Sequence, residues 1–152
     1  MVSDFVWPIR IYVEDTDVGG IVFYANYLKF MERARTERIR SLGFPRLETL
    51  WSQVIFVVHS AELQYHQPAR LDDEILVTAD ITRLGRSYIE FSQNVYLRQA
   101  EFEASAELGK PIVSGRIKIA CVTHDKLKPT AMPAPLAAAL GKIERPVMGS
   151  KA

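Results

Sequence analysis

Apolar and polar residues alternate in five stretches of the chain, the period of strands with one covered face. In the first stretch Phe5, Trp7, Ile9, Ile11 and Val13 fall on one side. The second opens as a continuous apolar run over residues 54–58 and then alternates through Ala61, Leu63 and Tyr65. The third places Ile75, Val77, Ala79 and Ile81 together. The fourth aligns Ile89, Phe91, Val95 and Leu97, with Gln93 as a polar exception on the same face. In the fifth, Val113, Ile117, Ile119 and Cys121 share a face, with Gly115 among them.

One stretch has a different period. Over residues 26–42 a turn of 100° per residue brings Tyr27, Leu28, Met31, Ala34, Ile39 and Leu42 to one side, with Lys29, Glu32, Arg33, Thr36 and Arg40 opposite. Asn26 suits an N-cap, Gly43 a C′ position, and Pro45 lies just beyond. The prediction is a helix of about four to five turns. Residues 71–73 and 84–86 suit tight turns, and the Pro- and Ala-rich residues 129–139 a short terminal helix. Residues 1–140 are expected to form a single domain, and residues 141–152 a frayed tail.

The order is strand, long helix, then four strands. No helix separates the later strands, which excludes a doubly wound parallel sheet. The expectation is an α+β fold, with an antiparallel sheet of about five strands wrapped around one long central helix. The open edges of such a sheet invite pairing with a second copy.

Composition narrows the functional classes. The chain has 152 residues, 48% of them apolar, and a formal net charge of +1. That is enough length for one real core, and it offers no global attraction for nucleic acid. A single cysteine, Cys121, excludes an internal disulfide. The first residues lack the pattern of a secretory leader, and no apolar run is long enough for a transmembrane segment. A cytoplasmic protein is expected. There is no G-x-S-x-G, phosphate loop or dinucleotide fingerprint. His59, His66 and His124 have no metal-ligand spacing, so no metal is expected.

The chemically suggestive segment is residues 14–27, E-D-T-D-V-G-G-I-V-F-Y-A-N-Y. Three carboxylates leave a strand, two glycines follow, and an apolar turn feeds the helix. Gly19 and Gly20 permit backbone conformations closed to other residues and close approach of another molecule. The helix start offers unpaired N–H groups and the positive end of a dipole, which can polarise a carbonyl. A carboxylate just before it can attack the same carbon or activate a water. The same residues also fit a bland account, because a helix dipole favours acidic neighbours and Gly-Gly often marks a turn.

The run Y-V-E-D-T-D-V-G-G-I-V-F-Y-A-N-Y-L-K-F-M-E-R-A-R-T-E closely resembles the signature of the 4-hydroxybenzoyl-CoA thioesterase family. Within it, the chain is most similar to the YbgC-type branch associated with the bacterial Tol–Pal system. The resemblance extends over about residues 6–136 and includes Q-P-A-R-L-D-D-E and L-G-R-S-Y-I-E-F. It implies a hotdog fold, assembly as dimers or dimers of dimers (tetramers), and a thioester held at the subunit interface. It implies that the family aspartate is Asp17 rather than Asp15, acting as nucleophile or general base. Backbone N–H groups near Tyr24, with Phe23, would polarise the carbonyl. Gly20, Ile21, Asn26 and Arg86 are the expected substrate contacts, Asn26 serving either there or as the cap. No cofactor is implied, coenzyme A being part of the acyl-CoA substrate.

Many YbgC-type members have histidine where this chain has Tyr24. A phenol with an ordinary pKa near ~10 is a poor base at neutral pH, which leaves Asp17 with the backbone. Glu32, on the helix, is the fallback carboxylate, by analogy with another hotdog branch. Arg35 and Arg38 lie on the covered side of the helix and call for carboxylate partners, for which Asp15 or Glu14 would serve. Two functions follow from these residues. One is acyl-CoA hydrolysis. The other is a weakly catalytic module that binds acyl thioesters or an acyl carrier protein in envelope or phospholipid metabolism, suggested by the missing histidine.

Overall fold

The computed structural model describes residues 3–98 and 108–143. The first strand, β1 (Val6–Arg10), leads through a single 3-10 turn at Val13–Asp15 to α1 (Asn26–Ser41). A short α2 (Glu48–Trp51) precedes β2 (Ile55–Tyr65), β3 (Glu74–Thr78), β4 (Asp80–Leu84), β5 (Tyr88–Leu97) and β6 (Val113–Val122). The described chain closes with α3 (Ala134–Gly141). All strand pairs are antiparallel, in the order β1-β3-β5-β6-β2, with β4 also paired to β5. With α1 packed on this sheet, the α+β hotdog architecture is as expected. At 16 residues, about 24 Å, α1 is moderate in length rather than long.

Six strands appear in place of about five because the third alternating stretch breaks at Ala79. β3 pairs with the far half of β5 (Val77 opposite Val95) and β4 with the near half (Ile81 opposite Phe91). The break is fixed by side chains. Thr78 Oγ1 accepts the Asn94 N–H at 2.9 Å, and Gln93 Nε2 donates to the Thr78 carbonyl at 3.0 Å.

Gln93 is fully buried and also joins the helix to the sheet. Its Nε2 donates to the Met31 carbonyl at 2.9 Å, and its Oε1 accepts from Arg35 Nη1 at 2.9 Å. The polar exception in the fourth stretch is thus a fully satisfied buried amide, the only kind a core tolerates cheaply. Gly115 lets α1 approach: a Cβ there would lie 2.9 Å from Met31 Cε.

The buried side of α1 is Tyr27, Phe30, Met31, Ala34 and Arg38. Phe30, not Leu28, belongs to this stripe; Leu28 is 42% exposed. Arg38 pairs in bidentate fashion with Asp4, both contacts at 2.9 Å, and lies over the Phe5 ring. Neither Arg35 nor Arg38 reaches Asp15 or Glu14 as the sequence suggested; Asp4 of the N-terminal strap supplies the carboxylate for Arg38, and Arg35 donates to the Gln93 amide oxygen instead.

The apolar run that opens β2 is only partly buried within one chain: Val54 is buried and Phe56 packs on the core. β2 is an edge strand, and Val57, Val58 and Tyr65 are exposed. At the other end, Gly141 closes α3 and Ile143 packs on the core, so the expected tail does not begin at 141. Its remainder, residues 144–152, lies outside the described residues.

Candidate active site

The segment between β1 and α1 is a hairpin-like loop with its own hydrogen-bond ladder. Thr16 and Val22 form an isolated bridge. The Asp17 N–H donates to the Ile21 carbonyl at 2.9 Å, and the Gly20 N–H to the Asp17 carbonyl at 3.1 Å. Gly20 sits at φ +79°, the left-handed position that closes a turn of this kind. Gly19 has no positive φ, so only one of the two glycines is required by conformation.

This loop is tied to the rest of the protein at two places. The Leu71 N–H donates to the Gly20 carbonyl at 3.0 Å, and the Val22 N–H to the Ala69 carbonyl at 2.9 Å. The Ala69 N–H in turn donates to Tyr27 Oη at 3.0 Å, from the first turn of α1. Burial pushes the Tyr27 phenol pKa up, so it stays neutral.

The two nearby aspartates are separated by their partners. Asp15 is consumed by structure: its Oδ2 accepts the Tyr12 N–H at 2.9 Å, and its carbonyl accepts from the Phe23 N–H at 3.0 Å and Asn26 Nδ2 at 2.8 Å. Asp17 projects from the turn. Its Oδ1 accepts the Gly19 N–H at 2.8 Å, while Oδ2 has no partner among the described residues. One oxygen is therefore oriented and the other is open.

Two sequence expectations are corrected here. Asn26 is not the N-cap; Ala25 holds that position, and Asn26 is the first residue of α1. Its amide instead latches the Asp15 carbonyl, which sets the loop against the helix. The Phe23 N–H, donated to Asp15, cannot polarise a substrate carbonyl. The open amides at the helix start, among the described residues, are those of Tyr24 and Ala25. The Tyr24 ring is 62% exposed and meets Tyr65 edge-on at 6.0 Å, and Tyr65 Oη donates to the Tyr24 carbonyl at 3.3 Å. Tyr65, at the end of β2, was not legible as a site neighbour because the contact joins residues far apart in sequence.

The remaining candidates lie elsewhere. Ile21 is half-buried and pairs with Arg70, its carbonyl engaged by Asp17. Arg86 is exposed in the β4–β5 turn, beyond the end of β5 opposite to the Asp17 loop. Within one chain it is not brought to Asp17. Glu32 is exposed on α1, hydrogen-bonded by Thr36 Oγ1. With Thr36 and Arg35 it lies at one side of an apolar cavity of about 340 Å³, walled by Leu47, Leu50, Trp51, Phe56, Val58, Ile89, Phe91 and Leu136. Burial of the Arg35 guanidinium pushes its pKa down to about 10, with Glu32 opposing the shift, so it stays charged at neutral pH.

Among the described residues no three His, Cys, Asp or Glu side chains are grouped to hold a metal ion. No helix among them is long and apolar enough to cross a membrane.

Comparison with known proteins bears on this geometry. The family profile described as the thioesterase superfamily matches residues 19–111. The chain is 38% identical over 138 residues to the acyl-CoA thioesterase YbgC of Haemophilus influenzae, covering 90% of this chain and 94% of that one. A solved probable thioesterase from Bartonella henselae superposes with a TM-score of 0.67 at 28% identity, covering 84% of this chain and 96% of the other. The Synechocystis 1,4-dihydroxy-2-naphthoyl-CoA thioesterase shares the fold, with a TM-score of 0.76 at 22% identity and coverage of 93% and 98%.

Proposed function

Because the chain belongs to the thioesterase superfamily, we propose that it hydrolyses an acyl-CoA to the free acid and coenzyme A, using Asp17 and the open amides of Tyr24 and Ala25. The observation that carries this reading is the asymmetry of the Asp17 carboxylate, with Oδ1 pinned by Gly19 and Oδ2 unpartnered at the mouth of a braced loop. Oδ2 either adds to the thioester carbonyl carbon or takes the proton of an attacking water. Negative charge then builds on the carbonyl oxygen, which the Tyr24 and Ala25 N–H groups and the helix dipole stabilise. Collapse breaks the C–S bond and releases the coenzyme A thiolate: on the general-base route it takes the proton that Asp17 drew from the attacking water, and on the nucleophilic route it takes a proton from solvent while a second step, attack of water on the Asp17 acyl anhydride, frees the acid and restores the carboxylate. No metal and no separate cofactor enters this scheme. Gly20 and Ile21 contribute backbone beside the thioester, and Asn26 positions the loop. Arg86, distant in one chain, is assigned to the coenzyme A phosphates of a neighbouring subunit's site. Glu32 is retained only as the fallback carboxylate.

The working unit is read as a homodimer, or a dimer of dimers, formed through β2. Its 11-residue edge carries exposed Val57, Val58 and Tyr65, an edge that proteins seldom leave unpaired. The chain through Ile143 is taken as one catalytic domain, and the buried free thiol of Cys121 suits the cytoplasm.

A thiol-release assay on the purified protein over a panel of acyl-CoAs tests the hydrolase reading. Turnover of at least one member is expected. Negligible turnover throughout, together with specific capture of an acyl carrier protein, would favour the binding module, to which Tyr24 in place of histidine points.

A further inference from the structure

The chain from the end of β2 toward β3 touches both halves of the site. On the carboxylate side, the Leu71 N–H donates to the Gly20 carbonyl at 3.0 Å, and the Ala69 carbonyl accepts the Val22 N–H at 2.9 Å. These bonds hold the turn that carries Asp17. On the helix side, the Ala69 N–H donates to Tyr27 Oη at 3.0 Å, and Tyr65 Oη donates to the Tyr24 carbonyl at 3.3 Å. Residues 65–71, Y-H-Q-P-A-R-L, therefore clamp the carboxylate loop and the start of α1 against one another. Of these four bonds, the one from Tyr65 bears most directly on the chemistry.

The Tyr24 carbonyl and the Ala25 N–H are the two ends of one peptide. A trans peptide points them in opposite directions, so a phenol on the oxygen does not cover the hydrogen. A donor on the oxygen draws charge from the nitrogen and makes its N–H a stronger donor in turn. The backbone partner of this carbonyl, the Tyr27 N–H, lies at 3.4 Å, so the phenol is the nearer donor. At 3.3 Å its bond is long, with room to shorten as the peptide polarises. Resting on the hydrolase reading above, we propose that Tyr65 is a positioning residue for the reaction: its hydroxyl holds and polarises the Tyr24–Ala25 peptide, whose open N–H meets the thioester oxygen as negative charge builds there.

The phenol is itself held in place. Tyr65 ends β2 opposite Val113, and the N–H of the next residue, His66, donates to the Ile112 carbonyl at 2.8 Å. Its ring centroid lies 5.8 Å from that of buried Tyr27 and 6.0 Å from that of Tyr24, which it meets edge-on. Burial, and then the neighbouring Tyr24, raise the Tyr65 pKa above the ordinary 10.0, so the group is a donor at neutral pH.

Tyr65→Phe keeps the ring and removes only the hydroxyl. Loss of a whole oxyanion donor costs about 10²–10³ in kcat, so weakening one by about 10–30% should lower kcat roughly two- to eightfold. KM and Tm should stay at their wild-type values. The deciding readout is the infrared band of the thioester carbonyl, labelled with carbon-13, in the best acyl-CoA bound to Asp17→Asn. That band should lie below its position in water. Adding Tyr65→Phe should return it by about 10–30% of the displacement. A ring that only packs, or that only meets a second subunit, leaves the band where it is. An unchanged kcat overturns the proposal, as does a lowered kcat with an unmoved band, or a band already at its aqueous position in Asp17→Asn. Each of these results leaves hydrolysis standing, whereas a wild type that turns over no acyl-CoA removes the hydrolase reading and this proposal together.

Discussion

Replacing Asp17 by asparagine separates chemistry from architecture at a single atom. In the native loop Oδ1 accepts the Gly19 N–H at 2.8 Å, and an asparagine carbonyl oxygen can keep that bond. The side chain is exposed, so the stability cost should stay within about 0.5 kcal/mol. For a protein of 152 residues that is a change in Tm of about 1–2 °C. What is lost is the negative charge and basicity of the second oxygen. A positioned base is worth about 10²–10⁴ in rate, or ~2.7–5.5 kcal/mol of transition-state stabilisation. Thiol release from the best acyl-CoA should therefore show kcat down by that factor with KM little changed, because the carboxylate does not hold the ground state. Asp17→Ala also loses the Gly19 anchor and should be slightly less stable, by about 1 kcal/mol. Asp15→Asn is the control. Its Oδ2 only accepts the Tyr12 N–H, and most of the activity should survive. A kcat within a few-fold of wild type for pure Asp17→Asn, or equal losses for both asparagine variants, would refute the assignment of the carboxylate.

Gln93→Leu leaves the Thr78 carbonyl and the Arg35 guanidinium without their buried partner. A loss of about 2–4 kcal/mol is expected, read by urea or thermal unfolding, and an unchanged midpoint would show that the network is not structural. Asp4→Asn removes the carboxylate from buried Arg38, at a cost of about 2 kcal/mol once the 57% exposure of Asp4 is allowed for. The Arg38 hydrogen bond holds the Asp4 carboxyl below its ordinary 3.8. Its contribution is thus complete above that pH and vanishes as pH falls through the lower native value, so the wild-type advantage in Tm should shrink on acidification; a gap that widens below pH 3.8 would contradict this sign. Gly20→Ala meets no atom within 4 Å but must adopt φ +79°, costing about 1–2 kcal/mol. Activity should fall more than stability explains, since the turn carries Asp17; the ratio of the two losses, from kinetics and unfolding of the same sample, is the check.

Much of the site was legible because it is local. The Asp17 turn, its glycine and the helix that follows occupy consecutive positions, and turn chemistry and helix capping act over a few residues. What was misread depends on contacts across the chain. Asn26 looked like a cap, but Asp15 offers its carbonyl from 11 residues away. Phe23 looked like a free donor for the same reason. The helix stripe was rotated because a periodicity argument treats Leu28 and Phe30 alike until the sheet chooses a side.

The sequence by itself determined the order of elements, the antiparallel α+β class and the candidate loop around Asp17, since strand alternation, helix period and turn residues are written in near neighbours. The tertiary structure alone decided that β2 is an open edge, that Gln93 is a satisfied bolt between helix and sheet, and that the apolar cavity lies at the far end of β2 from Asp17. Each of these depends on which segments meet after the chain has folded back on itself, and pairing between distant segments leaves no periodic trace along the chain.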